Sequence, residues 1–307
     1  MNNMPSFHEG ELDVQRRAHE DEIATHRIGL IKHVIVGGAV PFIRQQSMAV
    51  AGSIDASGRV WASMIFGEPG FLDPSDDAQS LAIHLDRTVQ QPNDPLLPNL
   101  ELQPQIGLML IELSSRRRLR VNGIAEKTGD TLSVTVRESF PLCPKYIQRR
   151  QIQLLSGNDQ LAASGLRDGH ALGTEQIAQI AAADTFFVAT THSLRGPDVS
   201  HRGGRPGFVE VIDATTLRIP DFAGNSMFNT LGNLSINPNA GLVFPDFQAG
   251  RLLQLTGTTT ILWDQPDPAE RSGGTHRFWE FHPEYWRETE LGGSIRAVLL
   301  EYSPFNP

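Results

Sequence analysis

The feature that most constrains the fold is a repeat. The chain reads GEPGFL at 67–72 and GGRPGFV at 203–209, and the surroundings of the two stretches match as well. Ahead of the first lies MAVAGSIDASGRVWAS (48–63) and ahead of the second FFVATTHSLRGPDVSH (186–201). Each is a short apolar run, a turn around Gly58 or Gly196, and a second extended run. Downstream, PQIGLMLIEL (104–113) faces PNAGLVFPDF (238–247), and RRLRVNG (117–123) faces RLLQLTG (251–257). The offset is 241 − 107 = 134 for one glycine pair, 257 − 123 = 134 for the other, and 206 − 69 = 137 for the prolines. Solenoid units repeat every ~20–50 residues, whereas this period has the size of a small domain. The sequence therefore predicts two copies of one β-rich domain, at 41–160 and 175–307 (the second with a C-terminal extension), behind a helical segment at 1–40.

The local texture agrees. VWASMIF, GLMLIEL, RLRVNGIAE and TLSVTVRE in the first copy are β-branched or alternating runs between Gly and Asp turns. FVEVI, TLRIP, GLVFPDF, RLLQLTG and TTTILW repeat the pattern in the second. KYIQRRQIQLLSG (145–157) is expected to close the first unit, EQIAQIAAAD (175–184) to lead by a helix into the second, and SIRAVLLEY to end it. Many short strands and few helices predict a mainly β chain, α+β in class, built from two tandem antiparallel barrels. Two similar barrels pack as a pseudo-dimer about a pseudo-twofold axis, and the cleft between them is the expected ligand site. Residues 8–33 are expected to be helical, with Leu12, Ile23, Ile28 and Leu30 among charges. His19, His26 and His33 recur every seven residues, about 10 Å apart on a helix, too far for shared metal ligation.

Composition excludes several classes. The net charge of −9 disfavours nucleic acid and anionic membranes as partners. A single cysteine, Cys143, excludes internal disulfides and multi-cysteine zinc sites. No apolar run reaches the ~18 residues of a membrane span, and no signal-peptide pattern opens the chain. A cytoplasmic protein is the expectation, with a homodimer as a candidate assembly. No Walker loop, HExxH, nucleophile elbow or dinucleotide fingerprint occurs. Ser193, His192 and Asp198 supply the types of a hydrolytic triad, but any loop of this composition does.

Three polar clusters within the strand framework carry the chemistry. In THSLRGPDVSHRGGRPG (191–207), Ser200, His201 and Arg202 precede consecutive glycines, a pattern suited to anions. DFAGNSMFNTLGNLSINP (221–238) offers Asn225, Ser226, Asn229, Thr230 and Asn233, with Asn229, Thr230 and Asn233 on one face of a helical turn whose N-terminus suits a phosphate. CPKYIQRR (143–150) adds Lys145, Tyr146, Gln148, Arg149 and Arg150. Together these are the ingredients of a site for a phosphate and a planar ring. Turn chemistry and a charged edge strand explain the same residues structurally. RRRLR (116–120), whose counterpart is largely apolar, is expected to be a solvated strand face, with contact to an acidic ligand as the lesser alternative.

The second copy, with its Ser-His-Arg strand, Pro-Gly-Phe, Asn-rich turn before Asn-Pro, GLVF and RLLQLTG, resembles the FMN-binding split barrel of pyridoxamine 5′-phosphate oxidase-like proteins. CPKYIQRR is similar to a segment of the longer, two-barrel members, and the pattern covers roughly residues 40–265. The resemblance implies six-stranded antiparallel split barrels with FMN, or FAD, held between them by Ser200, His201, Arg202, Asn225, Ser226, Asn229, Thr230 and Asn233, with Lys145, Tyr146 and Gln148 from the first barrel. It implies a flavin-dependent oxidoreductase acting on a small molecule, with NAD(P)H as a candidate donor. His201 is the one candidate for proton transfer. The chain departs from the pattern in two ways. Asn229 and Thr230 stand where an Arg-Lys pair is expected, with Lys145 or Arg149 left to restore the charge. Leu252 stands where a glutamine is expected, with Gln254 two residues on. Trp61, Ala62 and Ser63, read as the first-copy match of the Ser-His-Arg set, lack its chemistry, so one flavin site per barrel pair is expected. SIRAVLLEYSPFNP carries no substrate-binding Arg/His pair, which argues against pyridoxamine phosphate oxidation itself. The alternatives are a non-enzymatic flavin-, deazaflavin- or heme-binding barrel, and a scaffold without ligand.

Overall fold

The computed structural model describes residues 6–91, 93–155, 166–291 and 295–307. The first copy contributes β1 (Met48–Ile54), β2 (Val60–Phe66), β3 (Leu72–Pro74), β4 (Ser80–His84), β5 (Gln105–Glu112), β6 (Arg117–Thr128) and β7 (Thr131–Pro141). A ribbon strand β8 (Arg149–Leu154) and a short β9 (Arg167–Gly169) follow. The second copy contributes β10 (Thr185–His192), β11 (Gly196–Gly203), β12 (Glu210–Asp213), β13 (Thr216–Pro220), β14 (Asn239–Asp246), β15 (Arg251–Leu262) and β16 (Phe278–Glu290), and β17 (Ile295–Glu301) ends the chain. The strand order is β2–β1–β5–β6–β7–β4–β3 in one antiparallel sheet and β11–β10–β14–β15–β16–β13–β12 in the other. The two orders are identical once each copy is numbered from its own start. The fold is a tandem pair of antiparallel split barrels.

The helices repeat too. α1 (Glu9–Arg17), α2 (Asp21–Thr25) and α3 (Val40–Arg44) precede the first sheet, α4 (Leu96–Leu102) enters β5, α5 (Thr174–Ala182) precedes the second sheet, and α6 (Asn229–Ile236) enters β14. Asn99 on α4 donates to Ser53 Oγ on β1 at 3.0 Å, and Asn233 on α6 donates to Thr190 Oγ1 on β10 at 2.9 Å. One amide staple thus holds the same helix to the same strand twice. The helix expected over 8–33 is instead two short helices, α1 ending at Ala18 before a left-handed His19.

Burial on both faces explains why the central strands read as continuous apolar runs. Ala49 and Ala51 enter the first barrel's core while Met48 and Val50 enter a separate core between the sheets. Phe186 and Val188 enter the second barrel's core while Phe187 and Ala189 enter the shared one. The two sheets meet reciprocally. A Cβ on Gly107 of β5 would fall 2.4 Å from the Pro197 carbonyl oxygen of β11, and one on Gly241 of β14 would fall 2.5 Å from that of Val60 on β2. The two glycines have one role, which is to let a strand of one barrel cross the backbone of the other. Gly123 and Gly257 likewise both sit at bulges, between β6 and β7 and between β15 and β16.

One expectation changes. β8, expected to close the first unit, pairs instead with β17 in a two-stranded ribbon, so the expected last strand of the second unit joins it there.

Candidate functional site: a cationic cleft between the barrels

The seam between the sheets has two pseudo-equivalent flanks, and β6 and β15 decide their fates. Leu119 and Val121 point into the first barrel's core, so Arg118 and Arg120 point toward the other sheet. At the offset of 134, Leu252 and Gln254 are their counterparts on β15. On that flank the space is filled: Leu252 and Met64 belong to the shared core, and Gln254 donates to Ala62 O at 3.0 Å, Ser63 Oγ at 3.3 Å and Asp94 Oδ2 at 3.0 Å. On the other flank Arg120, 1% exposed, donates to Val199 O at 2.8 Å and Ser200 Oγ at 2.7 Å and pairs with Asp198 at 2.8 Å. Arg120 and Gln254 thus reach the same two positions of opposite barrels. The strand pairing also corrects the sequence match: Ala49 pairs with Ile65 and Phe186 with Arg202, so the counterparts of Ser200, His201 and Arg202 are Ser63, Met64 and Ile65. The serine is kept in the first copy, and the histidine and arginine are not.

The open flank is a cleft enclosing about 90 Å3, lined by Arg118, Arg120, Cys143, Lys145 and Tyr146 from the first copy and its exit. Ser200, His201, Arg202, Asp221, Phe222, Asn225, Ser226, Asn229 and Thr230 line it from the second. Of the residues singled out in the sequence, Ser200, His201, Arg202, Asn225, Ser226, Asn229, Thr230, Lys145 and Tyr146 come together here. Gln148 and Asn233 do not. Gln148 is buried and stitches loops, donating to Tyr146 O and Gly204 O at 3.1 Å and accepting from Ser303 N and Asn306 Nδ2. Asn233 is the α6 staple. Arg149 turns away to Ser114 O and Glu301, and Arg150 pairs with Asp184. Gln254 lies on the filled flank.

The main correction concerns RRRLR. Arg117 is solvated and pairs with Glu112, as a surface strand would. Arg118 and Arg120, in contrast, form the floor of the cleft. The signal was in the sequence: alternation with Leu119 and Val121 puts both arginines on one face, and the apolar Leu252 at the counterpart of Arg118 marks that face as covered.

The electrostatics are lopsided. Arg120 is compensated by Asp198, and Arg202 pairs with Asp221 at 3.4 Å. Arg118 donates through Nε to Cys143 O at 2.6 Å, and Lys145 Nζ lies 5.7 Å from the centre of the Phe305 ring. Among the described residues neither cation has a carboxylate in ion-pair range. Burial, reinforced by Arg202 and Arg120, lowers Arg118 to about 9, so it stays protonated at neutral pH. His201 is 4% exposed, and among the described residues neither ring nitrogen has a hydrogen-bond partner. Burial first, then Arg118, Arg202 and Arg150, pushes its pKa well below the ordinary 6.5, so the ring is neutral. A neutral ring offers one donor and one acceptor to a ligand, but it does not titrate near pH 7 as the proton-transfer expectation required.

At the α6 end two of the side-chain donors are already used. Ser226 Oγ donates to Glu20 at 2.6 Å, and Asn229 Nδ2 donates to Glu11. Tyr146, Ser226 and Phe228 around the cleft are left-handed without being glycine, conformations that cost on the order of 1–3 kcal/mol each and cluster at ligand sites. Tyr146 Oη donates to Ala223 O at 2.9 Å and its ring lies 4.9 Å from that of Phe222, giving one wall an aromatic surface. Uncompensated cations, an aromatic wall and an orphaned imidazole fit an anionic ligand with a planar ring. The enclosed space is below the roughly 300–1,000 Å3 of a whole ligand pocket, so it matches one end of such a ligand, with the rest in the open mouth.

No family model and no curated protein matches the chain. Among solved structures it is similar to a Clostridium acetobutylicum protein related to general stress protein 26, of the pyridoxinephosphate oxidase family. The identity is 17%, over 41% of this chain and 92% of that one, with a TM-score of 0.29. It is also similar to a FAD-binding protein from Mesorhizobium loti (13% identity, 41% and 100% covered, TM-score 0.27) and to HutZ, the heme storage protein from Vibrio cholerae (14%, 34% and 93%, 0.24). Each covers well under half of this chain. Likeness at this level assigns no residue, so the site rests on its own geometry.

Proposed function

We propose that the cleft binds one flavin mononucleotide and that the chain is a flavin-dependent oxidoreductase. The carrying observation is the pair of carboxylate-free cations, Arg118 and Lys145, beside an orphaned buried His201 in a cleft between two barrels. In an acidic protein such charges call for an anionic ligand. Arg118, Lys145 and Arg202 hold the anionic group, Ser200 and His201 supply polar contacts to the ring or chain, and Tyr146 and Phe222 pack against the apolar part. When bound, a flavin supplies hydride or electron transfer, while the chain supplies binding and orientation. His201, neutral, orients and does not shuttle protons. The fold names shared with neighbours that bind FAD or belong to the pyridoxinephosphate oxidase family support this reading only as a prior.

The neutral His201 also favours a second reading, in which a free ring nitrogen would ligate a heme iron and the cations would hold the heme's carboxylates. An absorption spectrum decides. Titration with FMN should give saturable, shifted flavin bands that bleach anaerobically with NADH or NADPH. A Soret band on heme titration with no response to FMN overturns the flavin reading.

A further inference from the structure

The sequence pattern leads one to expect the anionic end of the ligand at the N-terminus of α6. The structure puts acids there. α1 crosses α6 so closely that a Cβ on Gly10 would fall 2.2 Å from Gly232 O, and one on Gly232 would fall 2.6 Å from Glu11 Cγ. This crossing delivers Glu11, 3% exposed, onto Asn229, the first residue of α6, while Glu11 also accepts from His8 N at 2.9 Å to cap its own helix. After the chain turns, Glu20 accepts from Ser226 Oγ at 2.6 Å and pairs with Arg277 at 3.3 Å. Arg277 in turn donates to Asp221 at 3.1 Å. Two carboxylates from the N-terminal segment therefore hold Ser226 and Asn229, two of the side-chain donors that line the cleft at this end beside Asn225 and Thr230. Among the described residues no carboxylate lies in ion-pair range of Arg118 or Lys145 at the other end.

We propose that Glu11 and Glu20 are specificity-determining residues. They occupy the anion positions at the N-terminus of α6 and so confine a ligand's anionic group to the Arg118–Lys145 side of the cleft. Above about pH 7, where Glu11 is ionised, removing the two negative charges exposes a helix N-terminus, where partial positive charge and free N–H groups favour phosphate. The preference of the cleft for where charge sits on its ligand thus resides in the N-terminal segment and not in the barrels. The inference builds on the proposed ligand class but makes its own prediction about inorganic phosphate.

The test is a phosphate titration of the full chain at about pH 8, where Glu11 is ionised, followed by backbone amide NMR shifts, in the wild type and in the Glu11→Gln/Glu20→Gln double variant. The wild type should shift near Arg118, Lys145 and Ser200–Arg202 and stay silent at Thr230–Gly232. The double variant should gain saturable shifts at Thr230–Gly232, with phosphate affinity there raised on the order of tenfold. Each single variant should gain part of the effect, which covers the case of a double variant that does not fold. Shifts at Thr230–Gly232 in the wild type, or no gain in any folded variant, would overturn the proposal. FMN and riboflavin titrations on the same proteins separate the two readings. A raised FMN-to-riboflavin affinity ratio in the variants is expected. Absence of binding by either flavin sinks the flavin assignment while leaving the phosphate result to stand on its own.

Discussion

Arg118 and Arg120 lie two residues apart on one strand face and differ in one respect, the presence of a carboxylate. Arg120 has Asp198 and serves the seam between the barrels; Arg118 has none among the described residues and serves the cleft. Arg118→Ala should therefore weaken FMN binding by about 1.5–3 kcal/mol, the worth of a charged hydrogen bond, with a small effect on stability. Arg120→Ala should destabilise the fold, because it strands Asp198 in the interior, where burial already raises its pKa against the pull of Arg120. Equal effects of the two substitutions on stability, read by urea denaturation, would contradict this division. Glu11 makes a pH prediction. Burial outweighs its hydrogen bonds from His8 N and Asn229 and the pull of Arg195, with Asp198 adding repulsion, and raises its pKa from 4.5 to about 7. Over that interval the folded state holds a proton that the unfolded state has lost, so the contribution favours folding at low pH and is lost as pH rises through about 7. His8, lowered to about 4 chiefly by burial, works in the opposite sense: its contribution is present above 6.5 and is lost as pH falls through about 4. Glu11→Gln should thus gain stability relative to the wild type between about pH 5 and pH 8, by up to about 3 kcal/mol. Parallel stability curves would contradict it. What the sequence hid at this scale was pairing. The residue types of the cleft were readable, whereas the use of Ser226 and Asn229 by acids some 200 positions away was not.

At the scale of elements, the duplication separates structure from site. Asn233 has the look of a ligand residue until it is compared with Asn99, which makes the same bond from α4 to β1 on the flank where the space is filled. A role repeated in both copies belongs to the fold. Asn99→Ala and Asn233→Ala should each cost about 1–3 kcal/mol by leaving a buried polar partner unsatisfied, and Asn233→Ala should leave FMN affinity unchanged once the protein is folded. A selective loss of affinity in Asn233→Ala would return it to the site. The duplication was legible because Gly107, Gly241, Gly123 and Gly257 keep their spacing. The ribbon of β8 and β17 was not, because neither strand has a counterpart in the other copy and their pairing spans the whole second barrel.

For the molecule as a whole, the two barrels keep the geometry of a symmetric pair and lose its symmetry at the seam. One flank has Met64, Leu252 and Gln254, and the other has His201, Arg202, Arg118 and Arg120. No helix among the described residues is long and apolar enough to cross a membrane. The asymmetry makes stoichiometry the most direct test of the central claim, that a single cationic cleft between the barrels is the ligand site. Spectral titration of the purified chain with FMN should saturate at one equivalent per chain, and Arg118→Ala should shift the midpoint upward by roughly ten- to a hundredfold without changing that stoichiometry. Saturation at two equivalents, or a midpoint indifferent to Arg118, would contradict it.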